Sequence, residues 1–314
     1  MFYCAIYYKQ KKEGKYMANR IALIWDFDKT LVDGYMQNPI FEDYGVDANT
    51  FWKEVNSLPE KYRKEQGIEV NKDTIYLNLF IQYAKQGIFK GLNNDKLFSY
   101  GKKLKFYPGV IELIQTVKRM VESDPSLQEY DIKVENYIVS TGMKRIIEGS
   151  PIHELVEGIW GCELIEEDGI ISQLGYTIDN TSKTRAIFEI NKGIPQNPQW
   201  DVNAMVPEEL RRVPFENMIY IADGPSDIPA FSVVKKNKGS TFAIYPKGNM
   251  EAFKQVEQMR QDGRIDMYAE ADYSKDTTAY MWITNKVLQI ANRIRKKEKE
   301  KLNRSISQGP RHIN

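Results

Sequence analysis

Histidine and cysteine are scarce in this chain: its 314 residues include two of each, His153 and His312, Cys4 and Cys162. Two histidines are too few for a His-rich zinc site and do not favour a Ser-His-Asp triad. Two scattered cysteines cannot build a disulfide scaffold, so a reducing, cytoplasmic setting is expected. An excess of charge of one sign is lacking too. Lys and Arg total 44 against 43 Asp and Glu, so no basic field points to nucleic acid and no acidic excess to disorder. No apolar run approaches the length of a membrane-spanning helix. Neither a nucleic-acid nor a membrane partner is therefore expected.

The opening Met1-Phe2-Tyr3-Cys4-Ala5-Ile6-Tyr7-Tyr8 is apolar but short, and its lysines follow it, the wrong order for a secretory signal. Residues 1–16 are expected to be a dispensable extension, because Met17-Ala18-Asn19-Arg20 leads straight into a strand-like run. The length suits one large α/β domain with an insertion, or two modest domains.

Ile21-Ala22-Leu23-Ile24-Trp25 is a continuous apolar run, the pattern of a strand buried on both faces of a parallel sheet. Shorter runs recur at Tyr137–Val139, Met218–Ile221 and Thr241–Ile244. Helical patterns lie between them at 108–122, 182–191 and 249–261. This alternation predicts an α/β fold, a Rossmann-like parallel sheet with helices on both faces. Residues 34–105 break the rhythm. Helices are expected at 41–55, 74–86 and 94–104 with no strand between them, an all-helical insertion after the first strand. Core is then expected over 17–33 and 106–292. Cys162–Ile165, a Gly169-containing turn and Ile170-Ile171 read as a β-hairpin flap. The Pro-rich connection 193–217 is read as a long surface loop. The C-terminal pattern from Thr277 is a helix packed on the body, and 293–314 a basic tail, a solvated helix end instead of a nucleic-acid site.

Chemistry concentrates where strands end. Asp26-Phe27-Asp28-Lys29-Thr30 follows the first strand, and ligands of α/β sheets bind at the carboxyl ends of strands. Two carboxylates so close disfavour each other's ionisation unless a cation is near. Asp223-Gly224-Pro225-Ser226-Asp227 follows another core run, its turn bringing two more carboxylates toward one point. An all-oxygen donor set of this kind suits Mg²⁺. Ser140-Thr141-Gly142 ends a third strand and, at a helix start, makes an anion site. Lys183 opens a helix behind Thr181 or Ser182 as cap, a position where the helix dipole disfavours a cation unless an anion is near.

Together and in this order, Asp26-x-Asp28-x-Thr30, Ser140, Lys183 and Asp223–Asp227 resemble the haloacid dehalogenase-like superfamily, over about residues 18–273. The helical insertion and hairpin look most like its phosphoserine-phosphatase-like branch, whose cap lies between the first two motifs. The resemblance implies a Mg²⁺-dependent phosphomonoester hydrolase. Asp26 would be the nucleophile that forms an aspartyl-phosphate, and Asp28 the general acid and then base. Asp26, Asp223 and the Asp28 backbone carbonyl would hold the metal, with Asp227 in support. Ser140, with Thr141 beside it, and Lys183 would bind phosphoryl oxygens. An acid at Asp28 argues against carbon–halogen chemistry, because the family's dehalogenases lack it.

The resemblance also implies a small soluble phosphorylated metabolite under the helical cap at 34–105. Where phosphoserine phosphatases carry a glutamate for the substrate amino group, spacing puts Tyr35, with Asp33 the nearest acid, which argues against phosphoserine itself. Arg63, the insertion's lone arginine, is a candidate partner for a substrate carboxylate, although its charged surroundings also fit an exposed surface residue. Trp52, Tyr76, Phe80 and Tyr83 are expected in the core of the insertion before any pocket. Two other readings stand beside hydrolysis: a phosphotransferase or phosphomutase on the same scaffold, and a non-enzymatic binding protein, which would be expected to have lost a catalytic position.

Overall fold

A computed structural model describes residues 19–197 and 200–307; the expected extension at 1–16 and the end of the basic tail lie outside them. Seven strands form one sheet in the order β4-β3-β2-β1-β5-β6-β7. They are β1 (Arg20–Trp25), β2 (Lys133–Met143), β3 (Gly158–Glu167), β4 (Ile170–Tyr176), β5 (Met218–Ala222), β6 (Ser240–Tyr245) and β7 (Met267–Glu270). Every pairing is parallel except β3 with β4. Helices cover both faces, as the alternation predicts.

β1 lies between β2 and β5, and Ile21–Trp25 are at most 1% exposed. A strand in that position can bury both faces, which explains its unbroken apolar run; each such side chain taken from water is worth about 1.5–3 kcal/mol. β7 escaped the sequence reading because Met-Tyr-Ala-Glu is short and half-exposed at the sheet edge. The hairpin is present, with Asp168 and Gly169 both at positive φ (51° and 76°), the backbone a tight two-residue turn requires. It is not a separate flap: β3 first pairs in parallel with β2 and only then turns into the antiparallel ladder.

Between β1 and β2 lie α1 (Asn38–Tyr44), α2 (Ala48–Gln66), α3 (Ile75–Lys85) and α4 (Asn94–Tyr100). The expected helix at 41–55 is two helices, because Gly45 takes a left-handed φ of 63° and ends the first, while Asp47 caps the second through the Thr50 amide. Phe41, Phe51, Phe80 and Phe89 stack at 4.9–6.5 Å into an aromatic core for these helices. Two glycines let the insertion approach the sheet side. A Cβ on Gly149 would lie 1.8 Å from the Phe98 carbonyl oxygen, and one on Gly101 2.3 Å from that of Ile146.

The remaining helices are α5 (Val110–Glu122), α6 (Pro125–Gln128), α7 (Lys144–Glu148), α8 (Lys183–Lys192), α9 (Ile228–Lys236), α10 (Met250–Gln261) and α11 (Thr278–Ser307). Of the stretch expected to be a basic tail from residue 293, the described residues 293–307 continue α11. Ile294 and Glu298 are buried. Arg293 donates to the Glu216 carbonyl and to Asn217 Oδ1, and Lys297 pairs with Glu216. The 193–217 connection contains three short 3₁₀ turns among its described residues.

Candidate active site

The parallel register sets Trp25 beside Ile221, so β1 and β5 end together. The Asp26 amide donates to the Ile221 carbonyl at 2.9 Å, bringing Asp26 to the strand end that Asp223 follows. The 3₁₀ turn Pro225–Asp227 carries Asp227 back under the sheet edge, fully buried. Carboxylate oxygens of Asp26, Asp223 and Asp227 lie within 4.8 Å of one another.

Lys183 stands between them. Its Nζ donates to Asp26 Oδ1 and to Asp227 Oδ1, each at 2.7 Å, and its side chain is 2% exposed. Asp227 also accepts from the Tyr220 hydroxyl at 2.5 Å and from Ser226. Thr30 donates to Asp26 Oδ2 at 3.3 Å, and its carbonyl accepts from Tyr273. Asp28 is held from the insertion side, where the Met36 amide donates to its Oδ1 at 2.9 Å.

The electrostatics follow from several carboxylates sharing one buried cation. Burial pushes Asp26 up to about 6, with Lys183 pulling it down and Asp227 pushing it further up. Burial and then Asp26 push Asp28 up to about 8. Asp223 rises to about 7 through burial, Asp26 and Asp227. For Lys183 burial opposes the charge, yet Asp227 and Asp26 outweigh it, and the ammonium is held more firmly than an ordinary lysine. The helix start that carries Lys183 is capped differently from expectation. The Asp179 carboxylate accepts from the Thr181 and Ser182 amides and the Ser182 hydroxyl, whereas neither Thr181 nor Ser182 caps it by side chain.

Ser140 and Thr141 lie within β2, which runs on to Met143, so they are strand residues and not the start of a helix. Ser140 Oγ accepts the Gly142 amide, and the Thr141 carbonyl accepts the Tyr76 hydroxyl at 3.0 Å. That bond, Met36 to Asp28, and the pairs Asn71–Asp179 and Asp73–Asn180 fasten the insertion to the sheet end. Between them a cavity of about 310 Å³ opens beside Asp28, its wall including Tyr35, Trp52, Tyr76 and Thr141. Tyr35 stacks on Trp52 at 5.4 Å and accepts from Lys29 Nζ at 2.6 Å. Asp33 is exposed, and Arg63 is engaged with Glu69 through two 2.7 Å bonds at the exposed end of α2; neither lines the cavity. Arg63 therefore stands as the exposed surface residue that its charged surroundings also suggested. Phe80 and Tyr83 stay in the insertion core, as expected, whereas Trp52 and Tyr76 also reach the cavity. Gln37, Asn56, Lys72 and Asp73, also in the wall, carry no signal in the sequence that a pattern search would find.

No family model matches the chain. A curated protein of Borreliella burgdorferi (strain B31), itself uncharacterized, is 37% identical over 287 residues, covering 86% of this chain and 97% of that protein. Among solved structures, a HAD family hydrolase from Salmonella enterica serovar Typhi superposes with a TM-score of 0.53 at 12% identity, covering 90% of this chain and 79% of that one. A phospho-aspartyl intermediate analogue of a phosphoserine phosphatase, at 18% identity, 80% and 93% coverage and a TM-score of 0.48, is too distant to decide anything further. The chain thus belongs to one family with the Borreliella burgdorferi protein, and its fold is that of the haloacid dehalogenase-like hydrolases.

Proposed function

We propose that this chain is a Mg²⁺-dependent phosphatase of small phosphomonoesters, working through an aspartyl-phosphate on Asp26. The observation that carries this reading is the buried Lys183 ammonium bridging Asp26 and Asp227 where two adjacent strands end. The donor set fits the ion. It is oxygen only, its carboxylates are crowded within 4.8 Å, and burial and mutual repulsion raise Asp26 and Asp223, as expected of acids short of a counter-charge. Asp26, Asp223 and the Asp28 carbonyl would hold Mg²⁺, with Asp227 behind them. Bound there, the ion supplies positive charge to the phosphoryl oxygens.

The chain's own residues do the rest. The Asp26 carboxylate attacks phosphorus while the Asp28 carboxyl gives its proton to the departing alcohol oxygen, and the bond from phosphorus to that oxygen breaks. Asp28 then takes a proton from water, which attacks the aspartyl-phosphate. The bond to Asp26 breaks and inorganic phosphate leaves. Burial keeps the Asp28 carboxyl protonated near neutral pH, the form the first step needs. Lys183, Ser140 and Thr141 are assigned to the phosphoryl oxygens. The helices within 34–105 are assigned as a cap that excludes water and large polymers.

The test is release of p-nitrophenol from p-nitrophenyl phosphate with Mg²⁺ and with EDTA, for the wild type and Asp26→Asn. Metal-dependent turnover lost in the variant supports the reading. Equal residual activity in both proteins overturns the assignment of Asp26.

A further inference from the structure

Met36 joins the insertion to the reacting end of the site. It is fully buried and lies in the turn before α1, outside any strand or helix, so no backbone ladder fixes its place. Its side chain does so. The Met143 amide donates to Met36 Sδ at 3.1 Å, and a Cβ on Gly142 would lie 2.1 Å from the Met36 methyl carbon. The thioether therefore fills the space that position 142 leaves by having no side chain. Gly142 and Met143 end β2, just after Ser140 and Thr141, and the Gly142 amide donates to Ser140 Oγ at 3.0 Å.

From that seat the Met36 amide donates to Asp28 Oδ1 at 2.9 Å, among the described residues the only hydrogen bond that the Asp28 carboxyl makes. The first step of the reaction needs this carboxyl as a neutral acid, which has one protonated oxygen and one that only accepts. The oxygen held by the amide is the accepting one, so the proton is kept on Oδ2. A carboxyl free to turn would present its proton in many directions. General-acid catalysis requires that proton within hydrogen-bond reach of the departing oxygen. We propose that Met36 is a positioning residue for the general acid: seated on Met143 and Gly142, it aims the Asp28 carboxyl so that the proton on Oδ2 meets the leaving group. Met36 acts through Asp28 and not on the substrate. This rests on the phosphatase reading above.

The experiment measures phosphate release, with Mg²⁺, from p-nitrophenyl phosphate and from phenyl phosphate, which keeps the ring but has the poorer leaving group. Met36→Leu conserves volume and removes the sulfur acceptor. It is run beside the wild type, Asp28→Asn and the double variant. Met36→Leu should lose about tenfold or more in kcat on phenyl phosphate relative to its loss on p-nitrophenyl phosphate, with KM within about twofold on both. In the Asp28→Asn background the same substitution should cost less than about twofold further, because its effect passes through Asp28. Equal losses on the two esters, a change mainly in KM, or an undiminished loss in the Asp28→Asn background overturns the inference. Wild-type turnover with Mg²⁺ leaves the phosphatase reading standing in each of those cases. If the wild type hydrolyses neither ester, both fall. Gly142→Ala pushes the Met36 methyl from the other side and should show the same selective loss, so it decides the matter if Met36→Leu does not fold. If neither variant folds, Met36 is structural and the inference falls.

Discussion

Lys183 Nζ lies 2.7 Å from Asp227 Oδ1, two side chains 44 residues apart and both closed to solvent. The lysine enters from the first turn of α8 and the aspartate from the turn after β5. Asp26 accepts from the same ammonium. Neither acid could remain charged at this depth without that ammonium or an equivalent cation.

Lys183→Met should therefore remove the one charge that two buried acids share. In EDTA the variant is expected to lose about 3–5 kcal/mol of stability, read from urea denaturation. Its turnover of p-nitrophenyl phosphate should fall by about two to three orders of magnitude even where the variant is fully folded. A stability within error of the wild type would contradict the buried-pair geometry.

Asp28→Asn separates general-acid catalysis from the rest of the site. Protonation matters most when the departing alcohol is a weak leaving group. The variant is expected to lose about 10²–10⁴-fold on an alkyl phosphate and clearly less on p-nitrophenyl phosphate. Equal losses on the two would assign Asp28 a positioning role alone.

The pH dependence of metal-free stability follows from the raised acids. Asp26, Asp223 and Asp28 rise from an ordinary 3.8 to about 6, 7 and 8. The folded state thus holds protons more tightly than the unfolded chain. Its stability is greatest below the unfolded value and is lost as pH climbs through the folded values. Thermal melts in EDTA should fall from pH 5 to 8.5, and the stabilisation by added Mg²⁺ should grow over the same range, because the ion needs deprotonated carboxylates. A flat profile without metal would count against the burial of these groups.

Gly149→Ala tests how the insertion is fastened. The added methyl would stand 1.8 Å from the Phe98 carbonyl, so α4 must shift. About 1–3 kcal/mol of destabilisation is expected. A thermal melt unchanged from the wild type would rule out this close approach.

Ile290 of α11 is 2% exposed. Ile290→Ala is expected to cost about 2–5 kcal/mol in urea denaturation while turnover per folded molecule stays the same. A loss of activity without a loss of stability would instead tie α11 to the site.

The catalytic candidates were legible because each follows a local apolar run. A strand buried on both faces advertises itself, and the polar residue that ends it stands out, as with Asp26 after Trp25 and Asp223 after Ala222. Gln37 had no such signal, since a single amide two residues before Pro39 looks like any helix start. Arg63 looked functional as the lone arginine of its segment, but Glu69, six residues on, takes its whole fork. The Asp179 cap was missed because its carboxylate acts three residues before Ser182, ahead of the helical pattern.

Periodicity and composition, then, determined the α/β alternation, the helical insertion and the order of the acidic motifs, because these depend on which faces neighbouring residues can bury. Tertiary structure alone decided that Asp26, Lys183 and Asp227 share one buried charge network, that β3 belongs to the main sheet before it turns into the hairpin, and that Tyr76 of the insertion bonds the Thr141 carbonyl at the end of β2. Those relations join segments far apart in the chain. They depend on parallel register and on the close backbone approach that Gly149 permits, and neither leaves a local periodic trace.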